Sequence, residues 1–154
     1  MRRAAVLAIW AIAITLGAIR DFFFYNLNYQ LDAVARQSPV SYAHSMFQGW
    51  VQGWDLAALL RLKWVLAFLF AGSMLLICLA LARVLFGDHR HRRAIMLAYL
   101  LFGGLALALH GLAGVHPAFG HIGVKLLHSL QYPVVLFLFW AAALLTQAQR
   151  STGP

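Results

Sequence analysis

Four histidines and one polar stripe are the residues whose types and spacing could do chemistry. His110, His116, His121 and His128 fall within nineteen positions that are otherwise largely apolar. His110 would close one apolar run and His128 would open the next. At 1.5 Å per helical residue the two imidazoles would stand within a few Å of the same depth. Paired imidazoles on neighbouring helices are what a bis-histidine b-type haem needs, and a metal ion needs a similar convergence. Their spacing matches no specific metal motif, so a structural or proton-sensitive role is the plainer expectation, with haem b as the alternative. Lys125, His128 and Tyr132 stand at i, i+3 and i+7, which puts all three on one helix face. Ionisable groups at membrane depth face a bundle interior, a cavity or a partner, so this trio is expected to make a polar contact.

Cys78 is the only cysteine, which excludes an internal disulfide. It lies too deep in its run to meet the histidines, because a nucleophile and its base must approach to about 3 Å or one bridging water. A small core residue is the expected role, with Arg83 reaching to the membrane surface. No glycine-rich phosphate loop, serine-centred elbow or paired carboxylates occur, and no enzymatic activity is expected.

The elements that must carry these residues are membrane helices. Of 154 residues, 63% are apolar and only 10% are charged, far below the quarter or so usual in soluble domains. Four runs are long enough to cross a hydrocarbon core of about 30 Å: residues 4–24, 64–86, 94–114 and 123–146. Helices are expected because lipid offers backbone amides no partner. The fold class is therefore an all-α integral membrane protein forming a single membrane domain. Arg2 and Arg3, the basic turn Asp88–Arg93 and Arg150 would share one side, placing both termini in the cytoplasm. The formal charge of +8 comes from residues at the ends of apolar runs, which is a topology signal and not a nucleic-acid surface. The first run has no small-x-small cleavage pattern and is expected to be a retained anchor.

Asp55 should cap a helix leading into the second run, and Gly87 should close it. Gly104, Ala108 and Gly111 form a small-residue stripe on the third run, suited to close packing inside the protein or against a partner helix. Pro133 should bend the fourth run. Residues 25–63 form the external loop, which carries Tyr25, Tyr29, Tyr42, Phe47, Trp50 and Trp54. It reads either as an interfacial cap at headgroup depth or as a docking surface, with Trp50 and Trp54 as the expected contacts.

Arg20-Asp21-Phe22-Phe23-Phe24-Tyr25 ends the first run, and Leu60-Arg61-Leu62-Lys63-Trp64 leads into a second that ends in a basic turn. This arrangement, in a chain of this length, resembles the small membrane proteins that accompany exosortases of the F or X type in some bacteria. The resemblance implies an accessory role in a protein-sorting system of the bacterial inner membrane. Membrane lipid and an exosortase would be the partners. The exosortase would carry the catalysis, and no residue here would inherit a catalytic role.

Overall fold

A computed structural model describes residues 2–87, 90–138 and 140–141, and among these every regular element is helical. Helix α1 spans Arg2–Ala35, α2 Ser45–Trp50, α3 Leu56–Phe86, α4 Arg90–Gly111 and α5 Pro117–Gln131. Three helical stretches are long and apolar enough to cross a membrane: Arg3–Ala35, Leu56–Phe86 and His91–Gly114. Helix α1 packs along α3, α4 along α5, and α5 bridges the two pairs by lying against α3.

The first helix is much longer than the expected first span. Its 34 residues reach about 51 Å, well beyond a 30 Å core. Residues 25–35, expected as loop, continue the helix because no Gly or Pro interrupts them, and Leu27, Leu31 and Val34 keep one face apolar. That face buries against Phe47 of α2 and Leu59, Leu62 and Leu66 of α3. The chain leaves the helix through Gln37 at φ 53°, with Ser38 N donating to the Ala33 carbonyl at 2.9 Å.

Residues 36–55 are pinned to this extension. Asn26 Nδ2 donates to the Phe22 carbonyl at 2.7 Å, and its Oδ1 accepts from His44 N. His44 Nδ1 caps α2 by accepting from Met46 N at 3.2 Å. The end of α1, α2 and the start of α3 thus form a helical knob where a loop was expected.

Helix α3 begins as expected, with the Asp55 carboxylate accepting from Ala58 N at 2.7 Å. It ends at Gly87, whose φ of 72° is left-handed and strained for any residue with a Cβ. Phe70, Met74, Cys78 and Leu81 recur every three or four residues and face the core. Cys78 is buried there, its sulfur 3.5 Å from the Tyr99 hydroxyl. Asp88 and His89 of the basic turn, and Arg150, lie outside the described residues.

The stretch expected as the fourth span differs in two ways. Its helix starts at Pro117, six positions earlier than 123, where Pro at the first turn and His116 Nδ1 accepting from Ala118 N at 3.2 Å favour initiation. It stops at Gln131, and Tyr132 is extended at φ −104° and ψ 159°. A proline disfavours helical geometry in the residue before it, and Pro133 brings no N–H to continue the ladder. Helix resumes over 134–138, and 142–146 lie outside the described residues.

Of the two roles open to the small-residue stripe, close packing inside the protein is not made at its glycines. A Cβ on Gly104 or Gly111 would meet nothing within 4 Å. The close approach runs through α5, where a Cβ on Gly123 would lie 2.6 Å from the Ala106 carbonyl oxygen and 2.9 Å from His110 N. Gly123→Ala should therefore force α4 and α5 apart and cost about 1–3 kcal/mol, the range for overpacking. Gly104→Ala should hold or raise stability, with unfolding midpoints in mild detergent as the measurement.

Candidate functional site

The polar centre of the bundle is Arg20. It sits on α1 near the knob end of the apolar span, with only 4% of its surface exposed. Its Nε donates to Gln131 Oε1 at 3.0 Å, and its Nη1 donates to Asp21 Oδ1 at 2.8 Å and to the Tyr132 hydroxyl at 2.7 Å. Tyr132 passes the interaction on, donating its own hydroxyl to Asp21 Oδ1 at 2.6 Å. The guanidinium also lies 4.5 Å from the ring centroids of both Phe24 and Tyr132, a cation–π sandwich. Gln131 is fully buried and donates from Nε2 to the Ala67 carbonyl of α3 at 3.3 Å. One cation thereby links α1, α3 and the end of α5.

The break before Pro133 is what makes this possible. Had α5 continued, Tyr132 would have stayed in register with Lys125 and His128. In the extended conformation its ring turns to Arg20 instead. The expected trio is thus dispersed: Lys125 is exposed, His128 is half-buried with its ring 6.1 Å from Phe24, and Tyr132 belongs to the Arg20 cluster.

His128 and His110 do meet one cavity, of about 170 Å³, near the knob end between α3, α4 and α5. Lys63 and Trp64 line it from α3, Phe24 from α1, and Gln131 forms part of its floor. The indole of Trp64 packs edge-on to His110 at 5.0 Å between centroids. Lys63 Nζ donates to Asn28 Oδ1 on α1 at 2.8 Å. The two histidines expected at similar depth both line this cavity, although their backbones are offset along the bundle. Gly123 lies against His110 N, and His128 is five residues further along α5, about 7 Å down its axis. Among the described residues no group of three or more His, Cys, Asp or Glu is placed to hold a metal ion.

On the knob, Trp50 stacks on Phe23 at 6.1 Å with its planes 23° apart, yet about half of its surface is exposed. Tyr29 and Tyr42 contact edge-on at 6.3 Å, and Tyr42 is 84% exposed. Trp54 is also exposed, at the entry to α3.

This fold and site define a helical membrane protein with a buried ionic centre and an aromatic knob. No protein-family model matches the chain, and neither the curated proteins nor the solved structures include a match to it.

Sequence patterning exposed the histidines and missed the Arg20 cluster. The available signal was Arg20-Asp21 interrupting an apolar run, since charges at that depth require partners. Removing Arg20 leaves the buried Gln131 Oε1 without its donor and the Asp21 carboxylate without its cation. Arg20→Leu should cost about 3–5 kcal/mol. Arg20→Lys should recover little of it, because an ammonium cannot bond Gln131 and Tyr132 from one plane. Gln131→Leu, which strands one N–H of Arg20, should cost about 1–3 kcal/mol. Denaturant titration of the detergent-solubilised protein measures all three.

Proposed function

We propose that the chain is a non-enzymatic accessory protein of the bacterial inner membrane that docks on a membrane enzyme of the exosortase type. In this reading the stretch after Gly123 completes a fourth span, both termini are cytoplasmic, and the knob projects outside. The excess of Arg and Lys at the opposite end of the bundle supports that orientation.

The observation that carries the reading is the knob itself. It is rigidly built, yet it leaves Tyr25, Tyr42, Trp50 and Trp54 substantially uncovered. Large aromatic side chains held by ordered helices suit recognition of another protein, because little conformational entropy is lost when they are covered. The two segments that resemble exosortase-associated proteins also come together in space. Phe24 of the first segment shares one cavity with Leu60, Lys63 and Trp64 of the second. Arg20 Nε and Nη1, Asp21, Gln131 and Tyr132 are occupied with one another, which supports a structural centre, while Arg20 Nη2 is buried without a partner among the described residues.

Haem b between His110 and His128 is the competing reading. Their cavity is below the roughly 300–1,000 Å³ typical of small-molecule and cofactor pockets.

A photo-crosslinking residue in place of Tyr42 should capture an exosortase in native membranes. Trp50→Ala with Trp54→Ala should reduce its co-purification at least tenfold, a loss of about 1.4 kcal/mol or more. Crosslinks to lipid alone would sink the docking reading. A haem absorption band that disappears in His110→Ala and His128→Ala would replace it with the cytochrome-like alternative.

A further inference from the structure

The cavity beneath the knob combines groups that an anion would satisfy. Lys63 brings a cation, and only one of the three N–H donors of an ammonium is used, in the bond to Asn28. His110 and His128 add imidazoles that can donate N–H bonds, and no carboxylate lines the cavity. The nearest acid on the bundle side, Asp21, is already held by Arg20 and Tyr132. The remaining walls are apolar, among them Phe24, Leu60 and Val124. A cationic group half-buried in apolar surroundings is relieved by a bound anion of complementary charge.

A second space, of about 510 Å³, runs between α3 and α4 and shares Leu127 with the first. It exists because Ala71 and Gly72 of α3 face Gly103 and Gly104 of α4, where larger side chains would fill it. Along α4 its lining extends from Leu107 to Met96, about 16 Å down the helix. Tyr99 is its one polar-tipped residue, and that hydroxyl faces the Cys78 sulfur at 3.5 Å. An anion-compatible head space beside a long apolar groove, with Leu127 lining both, has the two-part chemistry of an amphiphile.

We propose that these adjoining spaces bind an anionic phospholipid from the leaflet at the knob end. Its phosphate is held by Lys63 and His128 near His110, and one acyl chain lies along the α3–α4 groove. A zwitterionic lipid of equal chain length carries a choline cation that Lys63 disfavours. A free phosphate ion lacks the chain that fills the groove. The site therefore selects for headgroup charge and acyl chain together.

The test is native mass spectrometry of the full chain in mild detergent with equimolar phosphatidylglycerol and phosphatidylcholine of the same acyl chains. The expected result is at least a fivefold excess of the phosphatidylglycerol adduct. That excess should fall to near unity in Lys63→Gln combined with His128→Gln. Gly104→Leu points a side chain into space that is empty within 4 Å of the Cβ position, so the fold accommodates it. This variant should lose the adduct several-fold with an unchanged unfolding midpoint, which keeps the test decisive if the double variant is unstable. Millimolar inorganic phosphate should leave the adduct in place. Equal retention of the two lipids, a preference that survives the double variant, or an adduct indifferent to Gly104→Leu would overturn the proposal. Complete displacement by inorganic phosphate would overturn it too, by showing a free-anion site.

Discussion

A guanidinium in a hydrocarbon layer must be satisfied by protein, and the arrangement of the bundle follows from that requirement at Arg20. An unpaired charge at such depth is costly by any scale, so partners have to be brought to it from wherever the chain can supply them. Asp21 comes from the same helix, Gln131 and Tyr132 from more than a hundred residues away. Gln131 then reaches past the cation to the backbone of α3. The interaction is short-ranged and directional, so it fixes the rotation of α1 against the end of α5, a point that Pro133 sets. Apolar contact between lipid-facing helices has no comparable power to choose one register, because lipid tails are as apolar as leucine.

The second determinant is backbone proximity. Glycines on α5 let it lie directly on the backbone of α4, and that tight pair leaves α3 and α4 separated by a groove lined with glycine and alanine. Small residues thus have opposite consequences on the two sides of α4. On one side they permit contact, and on the other they leave space open. The same helix is both a packing partner and the wall of a candidate lipid site.

At the knob the packing logic is that of a soluble domain. The knob is held by an apolar cluster around Phe47 and by side-chain to backbone hydrogen bonds from Asn26, His44 and Gln48. Its surface keeps aromatic residues exposed that the interior did not take up. Two histidines, His44 and His116, serve as helix caps, a role more often taken by Ser, Thr, Asp or Asn.

Composition and run length by themselves determined that this is an all-helical protein with helices fit to cross a membrane, because lipid permits few alternatives to a continuous apolar helix. Asp55 and Gly87 also marked the ends of α3, since caps are local chemistry. Only the tertiary structure decided the rest. The continuation of α1 to Ala35 depends on the apolar face offered by α2 and α3, which no window of the sequence contains. The break at Tyr132 was signalled by Pro133, but its purpose, turning a phenol toward Arg20, depends on a residue 112 positions away. The meeting of His110, His128 and Lys63 around one cavity likewise depends on how three helices cross. Local patterning constrains what each segment becomes. Which segments satisfy one another is settled by distances that exist only once the helices pack.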